Sequence, residues 1–241
     1  MTTSHAIRFH VLTNVLAAVC LAGGLMAGIG TASSQTSEPW KVDGRILGKP
    51  GKTGNPGKSE DVSGMACAVT DFPRVCILVD DETQGAQVVI LKNGGLVAGD
   101  FIRLISTAFE DDLLELDAEG VTYADGVYYV IGSHGRPRHE DGKKEARNVA
   151  RAEATRHVFR IAFSPDGVDR ETGRIKVAPD VRDSTRLGEF IKAQPDLRGR
   201  FDEALEDNGL TVEGLAAHDG KLYVGMRGPV LAGGNVVILV F

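Results

Sequence analysis

The chain has few of the residues that mark metal-binding or nucleic-acid-binding proteins. Only three of its 241 residues are cysteine, and the spacing of Cys67 and Cys76 matches no zinc motif. No cluster of histidine and cysteine accompanies them. Acidic residues outnumber Lys and Arg by 33 to 27, so the net charge of −6 argues against general nucleic-acid binding.

Two catalytic motifs are also missing. Gly-Lys-Thr and Gly-Lys-Ser occur at residues 51–53 and 57–59, but neither follows a strand, and Ile46 and Lys52 stand where a phosphate-binding loop needs its first glycine. Ser133 is no nucleophile elbow, because the first glycine of G-x-S-x-G is replaced by isoleucine. Adjacent strand residues point to opposite faces, so Ser133 and the histidine after it cannot assist each other.

The first residues follow the order of a secretory signal peptide. Residues 1–10 carry one arginine and no acid, residues 11–30 are apolar, and residues 31–34 are small. We predict a signal peptide of residues 1–34, with cleavage after Ala32 as an alternative and a retained membrane anchor as the competing interpretation. The mature protein is then periplasmic or secreted, with no attachment to the membrane.

The two remaining cysteines flank a short turn. Thr70-Asp71-Phe72-Pro73 lies midway between Cys67 and Cys76, so a hairpin centred there sets the two cysteines opposite each other. In an oxidising compartment this predicts a cross-strand disulfide. Two buried thiols are the alternative.

One segment of the sequence occurs twice in similar form. Residues 119–136, E-G-V-T-Y-A-D-G-V-Y-Y-V-I-G-S-H-G-R, return as residues 213–229, E-G-L-A-A-H-D-G-K-L-Y-V-G-M-R-G-P. Asp-Gly between two β-rich runs predicts a tight hairpin. Counting outward from each turn sets Glu119 opposite Gly132, and Glu213 opposite Met226 beside Arg227.

Residues 35–60 are rich in Gly, Pro and Lys. This composition predicts a linker, although residues 40–46 could form a strand. Residues 61–241 are predicted to form the domain.

The rest of the domain is also predicted to consist mainly of strands. Residues 63–105 predict four strands with Ser63 opposite Asp80, and further strands are expected at residues 157–163, 174–178 and 235–241. Helices are expected at residues 141–156, as a solvated excursion, and at residues 184–205, broken at Pro195. The predicted fold is all-β: propeller-like antiparallel meander blades, in a ring that can be incomplete, with short helical insertions.

Three segments carry a resemblance to known proteins: S-G-M-A-C-A…C-I-L-V-D-D-E, A-E-G-V-T-Y-A-D-G…G-S-H-G-R and N-G-L-T-V-E-G-L-A…G-M-R-G-P-V. Over residues 61–241 the chain resembles a family of bacterial secreted proteins catalogued as a domain of unknown function. It is also similar to the propeller-type domains called "esterase-like activity of phytase". The resemblance implies a propeller architecture and export, and the second group suggests ester chemistry.

The ends of the three hairpins are expected on one edge of the blades, where they can form a polar site. The predicted ligand-binding residues are Glu119, His134, Arg136, Glu213 and Arg227, with the arginines suited to an anionic ligand. The predicted metal ligands, for Ca²⁺, are Asp80, Asp81, Glu119 and Glu213.

Structural roles compete with each of these assignments. Glu119 and Glu213 could bond backbone amides between blades, and Arg227 could pair with Glu213 as a purely structural ion pair. The acidic run at residues 80–82 could be a solvated turn.

Three functions follow, and none names a reaction. The first is a ligand-binding domain that takes a small molecule or an anion. The second is a Ca²⁺-assisted hydrolase of phosphoesters or simple esters. In the third, an incomplete ring associates with itself through an exposed edge strand at residues 236–241.

Overall fold

The described part of the chain is built mainly from β-strands. The computed structural model describes residues 39–50, 56–139, 141–164 and 166–241, so the predicted signal peptide lies outside the described residues. In chain order the strands are β1 Lys41–Asp43, β2 Leu47–Pro50, β3 Pro56–Lys58, β4 Val62–Cys67, β5 Arg74–Asp80, β6 Gly85–Lys92, β7 Gly95–Arg103, β8 Ala108–Phe109, β9 Asp112–Leu113, β10 Ala118–Ala124, β11 Val127–Gly132, β12 Val158–Ala162, β13 Asp180–Ser184, β14 Thr211–His218, β15 Lys221–Gly228 and β16 Ile238–Val240. The helices are α1 Gly142–Thr155, α2 Arg186–Lys192 and α3 Pro195–Arg198.

These strands form three meander sheets, which we call blades. Blade 1 has the order β1-β7-β6-β5-β4, blade 2 has β10-β11-β12-β13, and blade 3 has β14-β15-β16. All pairings within the blades are antiparallel except the short parallel pair of β1 with β7. The first strands of the blades lie side by side, with β10 packed between β4 and β14. The predicted all-β, propeller-like architecture is therefore confirmed; within the described residues the blades form a row and not a closed ring.

Each pair of neighbouring blades encloses its own apolar core. Between blades 1 and 2, Ile77 and Val88 pack with Val130 and Phe159, and all four are fully buried or nearly so. The core between blades 2 and 3 joins side chains of β11, β14, β15 and β16 to those of α2 and α3, including Ile131, Val212, Val224, Leu239, Leu187, Ile191 and Leu197. The helices predicted at residues 184–205 therefore close one side of this second core.

The two Asp-Gly turns form as predicted. Asp125 and Gly126 have φ of 51° and 82°, and Asp219 and Gly220 have φ of 49° and 70°. Both turn residues adopt the left-handed region, which two-residue hairpin loops require and which Asp and Gly tolerate well. The sequence count therefore starts from the right place in both hairpins.

The predicted register is wrong by one residue at the far end of every hairpin. Gly132 pairs with Ala118 instead of Glu119, Met226 pairs with Val212 instead of Glu213, and Asp80 pairs with Val62 instead of Ser63. In each blade the register shifts at the residue before a glycine, so that residue is an extra one in its strand. A β-bulge of this kind cannot be counted from the turn.

The fourth strand of blade 2 also differs from the prediction. Residues 174–178 contribute only an isolated bridge between Val168 and Ile175, and the edge is formed by β13 instead. This polar strand is held by an ion pair and a side-chain hydrogen bond: Arg160 Nη1 lies 3.1 Å from Asp180 Oδ2, and His157 Nδ1 lies 2.8 Å from Asp183 Oδ1. A strand stabilised by polar side chains has no apolar alternation to reveal it.

Blade 1 carries the predicted disulfide. Cys67 pairs directly with Cys76 in the β4–β5 ladder, and their sulfur atoms are bonded. A disulfide is consistent with an extracellular or periplasmic location. Within the range predicted as a linker, the structure places β1, β2 and β3. Among the described residues, no helix has the length and apolar character needed to span a bilayer.

Candidate functional site

The same backbone irregularity opens all three blades. The extra residues are Ser63 in β4, Glu119 in β10 and Glu213 in β14, each followed by glycine. A bulge re-aims its side chain relative to a regular strand. Three equivalent positions therefore carry one hydroxyl and two carboxylates at the same end of neighbouring first strands.

The two glutamates share a cavity. A cavity of about 260 Å³ is lined by Glu119 of blade 2 and Glu213 of blade 3, together with Arg227 on the return strand of blade 3. Arg136, which follows β11, also lines it. The other lining residues are Glu115, Asp117, Ser133, Gly135, Pro137, Arg151, Thr155, Leu205 and Thr211. Four of the five residues predicted to bind a ligand thus lie around one cavity.

Every arginine of the cavity has a carboxylate partner. Arg227 Nη1 lies 2.9 Å from Glu213 Oε1, and Arg151 Nη2 lies 3.5 Å from Glu115 Oε2. Arg136 is almost buried and pairs with Glu145 of α1. The arginine charges are therefore largely neutralised before any ligand arrives.

Two carboxyl groups of the cavity are placed differently. Asp117 and Glu119 are half-buried, and neither forms an ion pair within the described residues. Burial, followed by repulsion from Asp117 and Glu213, raises the pKa of Glu119 to about 7. Burial also raises the pKa of Asp117, against the effect of a hydrogen bond from Ser133. The cavity thus has acidic groups in excess of its cations, and at neutral pH Glu119 can hold or release a proton.

His134 is not at the cavity surface. Its side chain is fully buried, and its Nδ1 lies 2.9 Å from the carbonyl oxygen of Gly132. Burial lowers the pKa of His134 to about 4, so the ring is neutral at physiological pH. Its backbone has a φ of 54°, which breaks the strand alternation used to place it. The structure therefore separates His134 from the other predicted ligand-binding residues.

The acidic turn of blade 1 also lies outside the cavity lining. Asp80 is 2% exposed, accepts a hydrogen bond from the Ser59 hydroxyl, and accepts another from the backbone N–H of Glu82 at 3.0 Å. This is a buried turn-forming aspartate and not the solvated turn considered from sequence. The pKa of Asp81 is raised to about 6, mainly by burial and then by Asp80.

Some of the predicted metal ligands affect each other's pKa, but they are not arranged to coordinate a metal ion. Repulsion from Asp81 adds to the raised pKa of Glu119, after the larger effects of burial, Asp117 and Glu213. Among the residues that the structure describes, however, no group of three or more His, Cys, Asp or Glu is arranged to hold a metal ion. Calcium binding therefore stays a prediction.

Sequence reasoning missed several lining residues. Asp117 stands two residues before Glu119, and Asp61 and Thr211 hold the same position before the other two bulges. Aligning the three repeats would have identified this position. Thr155 and Arg151 come from α1, which was expected to be a solvated excursion; its last turn instead buries Ala152, Ala154 and Thr155.

Fold and site together define a propeller-like protein with a polar cavity at the bulged ends of two neighbouring blades. The chain matches the family described as "Protein of unknown function (DUF3616)" over residues 78–240, and it belongs to that family. The matched range contains the cavity-lining residues. A search of the curated proteins finds no match to this chain.

Proposed function

We propose that this protein is an exported ligand-binding module and that its site is the cavity between blades 2 and 3. The observation that carries the proposal is the convergence of Glu119 and Glu213, from equivalent bulges of two blades, on one cavity. Export is supported by the disulfide and by the signal-peptide pattern of residues 1–34.

The size of the cavity and the charges of its lining residues limit the chemical classes of ligand that fit it. About 260 Å³ suits a small molecule, below the usual range for drug-sized ligands. The three arginines of the cavity already form ion pairs with carboxylates. Among the described residues, Asp117 and Glu119 form no ion pair with an arginine, a lysine or a histidine. The ligand that best compensates this charge is a small polar molecule with an ammonium or similar cationic group. This favours the small-molecule alternative over the anionic one.

Ligand-dependent thermal unfolding tests the proposal. The wild type is screened against small amines, matched carboxylates and phosphates, and against Ca²⁺ after treatment with EDTA. We expect amines to raise the Tm of the wild type and to lose this effect in Glu119→Gln. Glu171→Gln is the matched control, because Glu171 is exposed and pairs with Lys92 away from the cavity. If no compound shifts the Tm, or if Glu119→Gln responds like the wild type, the site assignment is wrong.

One observation supports a second function, hydrolysis of phosphoesters or simple esters. The pKa of Glu119, raised to about 7, is in the range where a carboxyl serves as a general acid or base at neutral pH. The resemblance to phytase-like propeller domains points to the same chemistry, with Ca²⁺ as the predicted cofactor. Hydrolysis of p-nitrophenyl phosphate and p-nitrophenyl acetate, with and without Ca²⁺, checks it. Equal rates for wild type and Glu119→Gln would exclude Glu119 from such a reaction.

A further inference from the structure

The dipeptide Asn-Gly occurs twice in the sequence, at residues 93–94 and 208–209. Asparagine loses its side-chain amide most readily in this dipeptide, because glycine has no side chain to shield the attacking backbone nitrogen. The reaction needs no enzyme, metal or second substrate other than water. In a folded protein its rate depends on how freely the asparagine side chain and the following N–H can approach each other.

The chemistry takes place within one dipeptide. The backbone nitrogen of the glycine forms a bond to Cγ of the asparagine and gives its proton to solvent. The bond between Cγ and Nδ2 breaks, and this nitrogen takes up a proton and leaves as ammonia. Water then opens the five-membered succinimide ring. Attack at Cγ gives aspartate, and attack at the backbone carbonyl carbon gives isoaspartate, whose main chain is longer by one methylene group.

Asn93 lies in an environment that permits this reaction. Asn93 and Gly94 form the two-residue turn between β6 and β7, which the pair of Lys92 with Gly95 closes. Both turn residues are exposed, and Gly94 has a φ of 82°. Within the described residues, neither the Asn93 carboxamide nor the Gly94 N–H is held by a hydrogen bond. Rotation about the bonds of Asn93 alone can therefore bring the two reacting groups together.

Asn208 lies in the opposite environment. Its Oδ1 accepts a hydrogen bond from the backbone N–H of Val230 at 2.8 Å, and its Nδ2 donates to the carbonyl oxygen of Val230 at 3.0 Å. Gly209 is buried, and its backbone N–H donates to the carbonyl oxygen of Ala204 at 2.9 Å. Both reacting groups are engaged, so the reaction at Asn208 requires local unfolding first.

We propose that Asn93 is a modification site of the folded protein, where it deamidates spontaneously while Asn208 is protected. The two dipeptides are identical, so the difference between their rates arises from the fold. The modification adds one negative charge to blade 1. It is independent of the ligand proposed for the cavity between blades 2 and 3.

The isoaspartate product has a structural consequence for β1. The backbone N–H of Lys41 donates to the carbonyl oxygen of Gly94 at 3.4 Å, next to the parallel pairing of β1 with β7. All residues of β1 are exposed, so its attachment depends on backbone hydrogen bonds. A methylene group inserted into the main chain before Gly94 displaces the carbonyl group of Gly94. We therefore expect the modified protein to hold β1 less firmly.

Peptide mapping by mass spectrometry tests the proposal. The folded wild type is incubated at mildly alkaline pH, sampled over time and digested in acid, where the reaction is slow. The peptide that contains Asn93 should gain one mass unit about tenfold faster, or more, than the peptide that contains Asn208, because Asn208 reacts only after local opening. The same incubation in guanidinium chloride is the matched control. It exposes both dipeptides, so the two rates should become similar.

Two results would overturn the proposal. In the first, the Asn93 peptide keeps its mass in the folded protein but changes in the denatured chain. In the second, Asn208 reacts as fast as Asn93 in the folded protein.

Hydrogen exchange tests the consequence for β1. The amides of Lys41–Asp43 should exchange faster in aged wild type than in equally aged Asn93→Gln, because glutamine cannot form the five-membered ring. Equal exchange in a sample that contains isoaspartate at residue 93 would contradict the effect on β1.

Discussion

Glu119 and Glu213 occupy the same bulge of successive blades, yet their environments are opposite. Glu213 is exposed and pairs with Arg227 at 2.9 Å. Glu119 is half-buried beside Asp117 and has a pKa of about 7. The repeated backbone thus fixes where each carboxylate lies, whereas its neighbours decide which charge state is stable. In the part of the chain that the structure describes, blade 2 packs between blades 1 and 3, and its Glu119 is the more buried of the two carboxyl groups.

The packing of blade 2 against blade 3 can be tested by substitutions at two equivalent glycines, Gly120 and Gly214. Gly120→Ala places a methyl group 2.9 Å from the backbone nitrogen of Leu215, so blades 2 and 3 must separate slightly. We expect a loss of about 1–3 kcal/mol in the free energy of unfolding, typical of overpacking. Gly214→Ala meets no atom of the described residues within 4 Å and should stay within about 0.5 kcal/mol of the wild type. Urea denaturation at low micromolar concentration measures both; equal effects would contradict the close packing at Gly120.

The charge states can be compared through the pH dependence of Glu119→Gln and Glu213→Gln. Because the folded-state pKa of Glu119 is raised from 4.5 to about 7, the folded protein binds this proton more tightly than the unfolded chain does. The stabilisation from Glu119 is complete below about pH 4.5 and is lost as the pH rises to about 7. Glu119→Gln, which cannot ionise, should therefore be more stable than the wild type at alkaline pH and similar to it in acid.

The expected gain is on the order of 1 kcal/mol, once solvent screening of a half-exposed carboxyl is taken into account. Urea denaturation at about pH 5 and about pH 8 measures it, on either side of most of the titration. Glu213→Gln, the matched variant, should gain less at about pH 8, because Glu213 is paired with Arg227 and its change only relieves the repulsion that adds to burial in raising the pKa of Glu119. A gain for Glu119→Gln that is the same at both pH values would mean that Glu119 titrates normally.

The smallest change in the free energy of unfolding is expected when the ion pair between Arg227 and Glu213 is removed. Arg227→Gln removes an exposed partner of Glu213, so the free energy of unfolding should change by about 0.5 kcal/mol or less. The same change removes the positive charge that lowers the pKa of Glu119, so that pKa should rise further. A carboxyl-detected NMR titration reports it. A Glu119 pKa that is unchanged in Arg227→Gln would show that the two groups are not coupled.

The sequence was informative about the blades because hairpin signals are local. Asp-Gly turns and apolar runs on either side specified β10, β11, β14 and β15 closely, and the position of Cys67 and Cys76 around a turn predicted their bond. Bulges at Glu119 and Glu213 escaped the count because an extra residue leaves no mark in an alternating pattern. The two side chains nevertheless line one cavity, since the shift affects equivalent positions in both blades.

The electrostatic character of the site could not be predicted in the same way. His134 and Asp80 stand at the ends of their strands, like Glu119, but both are buried and lie outside the cavity lining. Arg151 and Thr155 reach the cavity from a helix far along the chain. Burial depends on which segments pack together, and a pattern within one segment does not contain that information.

The sequence by itself determined the repeated unit: a Glu-Gly pair, an Asp-Gly turn and a polar end in blades 2 and 3, with a variant in blade 1 that has Ser-Gly and no Asp-Gly turn. Short-range turn chemistry and alternation suffice for this, because they act between residues close in the chain. Only the tertiary structure decided that blade 1 is capped by Ile46, that blade 2 packs between its two neighbours, and that Glu119 is forced toward its protonated form. Those properties depend on packing between blades, where distant residues exclude water and shift the balance between charged and neutral groups.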